Sequence, residues 1–259
     1  IMGTAEFGGH ARLDSWVVAE NSGIRMSESP GGDLSRDQAS AWHERGGATI
    51  AGLARGVPMK LYYLTGACSL ASYISLIEAR QNFEAFAVDR ATRQTADGRD
   101  FLGINPKGYV PALVLDNGEV LTENTAVLSY IASLDKSRKL GPEPGTWPFY
   151  RLLEWLGFIN SEVHKNMGVL FRPNSDEVKT AARELVVKRY GHIEDSLGSK
   201  PFLVGDNFTV ADAYLYVTLS WRERVKVDIN HLPKLTAYYE RCRARPSVQQ
   251  ARKAEGLAP

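Results

Sequence analysis

The chain has 259 residues, room for one large domain or two small ones, and its 44% hydrophobic and 24% charged residues suit a globular protein with a buried core. A formal net charge of +1 excludes a broad basic field for a phosphate backbone, so no nucleic-acid partner is expected. No apolar run approaches the roughly 20 residues of a bilayer span, so no membrane partner is expected either.

The chain shows no secretory-signal pattern at its start and has two distant cysteines, Cys68 and Cys242, with no disulfide framework. A cytoplasmic, reducing location is the expectation. Residues 1–58 are rich in Gly, Ser, Ala and Arg, with aperiodic apolar clusters such as Trp16–Val17–Val18. They read as a disordered or non-native leader.

From Met59 the pattern changes. Lys60 to Leu64 is a β-rich run, Thr65–Gly66–Ala67 a turn, and Ser69 to Arg80 is spaced as a helix through Leu70, Ile74 and Ile77. Phe83 to Val88 alternates as a second strand. Asn105–Pro106–Lys107–Gly108 is a turn, and Asp116–Asn117–Gly118 is a hairpin signal between Ala112–Leu115 and Glu119–Leu121. A helix follows from Thr122–Glu123–Asn124 to about Leu134. This order predicts a small α/β domain with a mixed sheet over residues 59–135.

The charged, Pro- and Gly-rich stretch 136–146 reads as a linker. Beyond it the signal is helical throughout 147–259: Trp147 to Phe171, Ser175 to Leu197, Thr209 to about Val225, Leu232 to Arg243, and a last helix after Pro246. Thr209-Val-Ala-Asp212 has the spacing of a capping box, with Phe208 and Ala213 placed for a hydrophobic staple.

Four places carry possible chemistry. Cys68 stands where a strand turns into a helix, and unpaired N–H groups at that end favour a thiolate; the alternative is a small packed hydrophobe. Pro111 starts a strand after Val110, either as an ordinary trans proline or as a cis proline that exposes the backbone of Val110. Glu123 and Asn124 open a helix, either as a cap or as a site for an α-amino and α-carboxylate pair. His164, with Lys165, sits on a face with Gly157, Asn160, Ser161 and Gly168; it is either a solvent-facing histidine or a donor of positive charge to an anion or thiolate. Cys242 shares a stripe with Leu235, Tyr238 and Tyr239 and reads as buried and inert. No zinc-type array, phosphate loop or nucleophile elbow is present in the sequence, so no metal is expected.

Met59-Lys-Leu-Tyr-Tyr-Leu-Thr-Gly-Ala-Cys-Ser-Leu resembles the opening of bacterial beta-class glutathione transferases. Asn105-Pro-Lys-Gly-Tyr-Val-Pro, Leu121-Thr-Glu-Asn, Ser161-Glu-Val-His-Lys, Phe208-Thr-Val-Ala-Asp-Ala-Tyr and the terminal Glu255-Gly-Leu follow at successive landmarks. The resemblance implies the cytosolic glutathione transferase architecture, with an α/β thioredoxin-like N-terminal domain followed by an all-α C-terminal domain. It implies a homodimer, glutathione as co-substrate and a small apolar electrophile as second substrate.

Carried over by position, Cys68 and His164 are the catalytic candidates. Arg93, Val110, Pro111, Glu123, Asn124, Ser161, Glu162 and Lys165 are the glutathione-binding candidates, with Arg93 near the glycine carboxylate. Leu64–Thr65, Ala71–Ser72–Tyr73, Asn124 and Gly157 depart from the family's usual residues. The implied function is activation of the glutathione thiol for conjugation, with thiol-transferase or peroxidase chemistry through Cys68 as a further capacity. The rival is a non-catalytic ligand- or protein-binding protein on the same fold.

Overall fold

The computed structural model describes residues 57–258; the leader assignment for residues 1–58 falls almost wholly outside the described residues. Strand β1 (Met59–Tyr63) leads through a turn into α1 (Ser69–Glu78), then β2 (Phe83–Ala87), the short α2 (Phe101–Ile104), β3 (Ala112–Val114), β4 (Val120–Thr122) and α3 (Asn124–Leu134). The sheet order is β2-β1-β3-β4, with β1 parallel to β2 and antiparallel to β3, and β3 antiparallel to β4. This is the mixed sheet expected from the element order.

β1 is buried on both faces because alternate side chains point to opposite sides of a strand. Leu61 joins Leu70, Ile74, Val127 and Ile131 in the main core, while Tyr62 joins Val88, Phe101 and Ala112 in a second cluster. Tyr62 stacks on Phe86, with ring centroids 5.5 Å apart. The central strand thus fixes the position of the turn that leaves it, and that turn carries Cys68.

The helical part comprises α4 (Trp147–Phe158), α5 (Lys165–Leu170), α6 (Asp176–Leu197), α7 (Val210–Ser220), α8 (Pro233–Arg243) and α9 (Pro246–Ala254). The single helix expected over Trp147 to Phe171 is interrupted: Ile159–His164 is π-helical, joining α4 to α5. An inserted π turn moves the following side chains around the axis without breaking the helix, and such turns often mark functional positions.

α7 is mostly apolar and buried from Val210 to Leu219, as a helix in the middle of a core must be. Its start is fixed by the capping box between Thr209 and Asp212. Asp212 also accepts from Leu203 N at 2.9 Å and from the Tyr238 hydroxyl at 2.9 Å, so one buried carboxylate ties three segments together. α7 packs against α1, α3, α4 and α8, which joins the helical core to the sheet's helices.

Candidate active site

Cys68 is the N-cap of α1, at the mouth of the turn from β1. Gly66, two residues earlier, has φ +67, a left-handed conformation natural to glycine. Both polar groups of that glycine are held by the helical part. Gly66 N donates to Glu255 Oε2 at 2.7 Å, and Trp221 Nε1 donates to Gly66 O at 2.8 Å.

The Val110–Pro111 peptide is cis. This matches the second of the two alternatives for Pro111, and it brings the Val110 backbone beside the thiol. Cys68 Sγ donates to Val110 O at 3.2 Å.

The electrostatics of Cys68 differ from expectation. Burial pushes the thiol up to about 12, and backbone N–H bonds at the start of α1 offset only part of that. Glu123 and Glu255 add to the rise through their negative charge. Desolvation of the sulfur therefore outweighs the helix-start effect, and the resting group is a neutral thiol.

Glu123 lies at the start of α3 with φ +69, and its carboxylate pairs with Lys107. Asn124 beside it is buried and already engaged: Ser72 Oγ donates to its Oδ1 at 3.0 Å, and its Nδ2 donates to Cys68 O at 3.4 Å. Its side chain ties α3 to the cysteine turn, so what it can offer a ligand is its backbone N–H at the helix start.

His164 closes the π-helical segment. Its Nδ1 lies 2.6 Å from the Tyr214 hydroxyl, which donates to Asn160 Oδ1 at 3.0 Å. In that arrangement Nδ1–H donates to Tyr214, and Nε2 is the free ring nitrogen. Burial pushes His164 down to about 4, so the ring is neutral, contrary to the expected donor of positive charge. It tilts against Trp221 with ring centroids 5.1 Å apart.

These residues line one pocket of about 450 Å³: Cys68, Arg93, Val110, Pro111, Glu123, Asn124 and His164, together with Arg90, Asn160, Gly168, Phe171, Arg172 and Tyr214. The remaining three candidates are absent from its lining. Ser161 donates its hydroxyl to Gly157 O, Glu162 pairs with Arg189 at 2.6 Å, and Lys165 also lies outside it. Sequence reasoning missed Tyr214, Asn160, Phe171 and Arg172. Asn160 stood on the small-polar face with His164, a usable signal; Tyr214, within an apolar helix, gave none.

Comparison with known proteins gives the site a family. The glutathione S-transferase N-terminal domain model matches residues 57–133, and the C-terminal domain model matches residues 149–246. The chain belongs to the glutathione S-transferase family. Glutathione S-transferase GstA of Escherichia coli O157:H7 is 40% identical over 200 residues, 77% of this chain and 100% of that one. A glutathione transferase structure from Methylococcus capsulatus str. Bath is 51% identical with a TM-score of 0.75, covering 77% of this chain and 100% of its own.

Two sphingomonad structures are each 48% identical with a TM-score of 0.74, over 77% of this chain and 100% of theirs. One is described as complexed with glutathione; the other, from Sphingomonas chungbukensis, is described as bacterial beta class. This glutathione S-transferase is of the bacterial beta type, with a thioredoxin-like sheet domain followed by a helical one. It is an enzyme that conjugates glutathione to electrophiles, and the non-catalytic alternative is not favoured. Among the described residues no helix is long and apolar enough to cross a membrane.

Proposed function

We propose that glutathione lies along the cis Val110–Pro111 edge, with its cysteinyl N–H and C=O paired to the Val110 backbone. Residues 59–135 form the glutathione-binding domain, 136–146 the linker, and 147–259 the helical wall of the cleft. Glu123 takes the α-ammonium and the N–H groups at the start of α3, including that of Asn124, take the α-carboxylate. Arg93 takes the glycine carboxylate.

The observation that carries this reading is the Cys68 S–H donation to Val110 O at 3.2 Å. Pairing the cysteinyl N–H with that carbonyl releases the Cys68 S–H, which is then free to donate to the incoming sulfur. The neutral thiol and the start of α1 stabilise a glutathione thiolate. The glutathione proton leaves to solvent through the open cleft, and neutral His164 offers Nε2 there as a hydrogen-bond acceptor. The thiolate attacks the electrophilic carbon, an S–C bond forms, and the leaving group departs with the bonding pair. Attack by Cys68 itself is the weaker reading, because its resting thiol is held far from ionisation.

The reading extends to a cytoplasmic homodimer. Trp147, Tyr150 and Leu153 are exposed on α4, an apolar face suited to a second copy. Ser161, Glu162 and Lys165, outside the pocket of one chain, are then candidates to serve glutathione across the dimer. The test is transfer of glutathione to chlorodinitrobenzene by the wild type, Cys68→Ala and His164→Ala. Turnover reduced in both variants is expected. Full activity in both would remove the proposed roles.

A further inference from the structure

Glutathione's two carboxylates do not use all the arginines of the pocket. Three arginines line it (Arg90, Arg93 and Arg172), and its one carboxylate, Glu123, already pairs with Lys107. Glutathione's two carboxylates have receivers on the sheet side, at the start of α3 and at Arg93, with Arg90 after β2 as reinforcement. Arg172 stands apart from these. It follows the end of α5 in the helical wall, and among the described residues its side chain makes no ion pair.

Its neighbours define what could lie beside it. Phe171 is 45% exposed, unusual for a phenylalanine held between other groups. Its ring packs edge-on to Trp221, with centroids 5.9 Å apart, and the Arg224 guanidinium lies 5.2 Å from its centre. Gly168, one turn back, has open space where a Cβ would stand. Open space over Gly168, a half-exposed aromatic ring and an exposed guanidinium with no ion pair among the described residues therefore line the helical side of the pocket.

We propose that the second substrate of this transferase is an aromatic or similarly planar electrophile carrying a carboxylate or another anionic group. The ring fills the space over Gly168 against Phe171, and Arg172 binds the anion. The inference rests on the proposed placement of glutathione. Guanidinium suits this task because its planar donor fork meets a carboxylate in a bidentate pair and cannot be deprotonated. An unpaired guanidinium at the mouth also draws anionic substrates by a field that salt weakens.

The experiment compares a chloronitrobenzoate with the corresponding neutral chloronitrobenzamide as acceptors, each kcat/KM divided by the uncatalysed rate with glutathione. The wild type should favour the benzoate, and Arg172→Met should cut the benzoate-to-benzamide ratio about tenfold, the size of one charge-assisted contact. Added salt should lower the wild-type ratio in the same direction. An equal preference in the wild type, or a ratio unmoved by Arg172→Met, would overturn this inference while leaving glutathione transfer standing. Turnover of neither acceptor, nor of chlorodinitrobenzene, would overturn the site assignment and this inference together.

Discussion

Glu255 holds Gly66 across 189 residues of sequence: its Oε2 accepts the Gly66 N–H at 2.7 Å. Trp221 binds the carbonyl of the same glycine from another helix end, so one residue of the cysteine turn is gripped at both its donor and its acceptor. The other oxygen of Glu255, Oε1, is buried with no hydrogen-bond partner among the described residues. Its negative charge reaches Cys68, Tyr63 and Tyr73 and raises each of them. Burial accordingly pushes the Glu255 carboxyl up to about 7, against the pull of the Gly66 N–H.

A carboxyl raised in the folded state binds its proton more tightly there than in the unfolded chain. Folding is then most favoured below the unfolded pKa, and that advantage is lost as pH rises through about 7. His164 works in the opposite sense, because its lowered pKa adds stability as pH rises from about 4 toward its ordinary value. Comparing the wild type with Glu255→Gln isolates the first effect. Chemical denaturation at about pH 5 and pH 8 should show the wild type losing roughly 2–3 kcal/mol relative to the variant. A constant difference between the two proteins would show that Glu255 titrates normally.

Cys68, half-buried in the pocket lining, should behave as an un-ionised thiol in the free enzyme. With its pKa pushed up to about 12, alkylation by iodoacetamide should be slow near neutrality and should keep rising with pH past 9. Cys242, fully buried and raised as well, should remain unlabelled in the folded protein. A rate for Cys68 that levels off below about pH 8 would mean a stabilised thiolate, and the burial argument would be wrong.

Tyr214 links His164 to Asn160 through one hydroxyl. Tyr214→Phe keeps the ring and removes that link, leaving half-buried His164 and exposed Asn160 without their shared partner. The expected cost is about 1 kcal/mol of stability, the size of one ordinary hydrogen bond, with a kcat lowered about tenfold and little change in KM for glutathione. Steady-state kinetics beside thermal denaturation would check it. A loss of stability without any change in kcat would make Tyr214 purely structural.

The sheet was legible because strand alternation and the Asn117–Gly118 turn are local signals, and the start of α7 was legible from Thr209 and Asp212 alone. The cysteine, the proline and the two helix-start residues were found for the same reason. What escaped was non-local. The contacts of Glu255 and Trp221 with Gly66 cross most of the chain, and Tyr214 lies in a mostly apolar helix, where no periodicity singles it out. The π-helical segment was hidden because one inserted residue barely disturbs an apolar stripe. The charge states of Cys68 and His164 stayed open in the sequence, because the desolvation that opposes charge at each comes from packing.

The central claim is that the Val110 edge and Glu123 bind glutathione. Titration calorimetry with reduced glutathione on the wild type and Glu123→Gln tests it most directly. One site per chain is predicted, weakened about tenfold or more by loss of the carboxylate that faces the α-ammonium. Absence of binding to the wild type, or equal affinity in both proteins, would contradict the assignment.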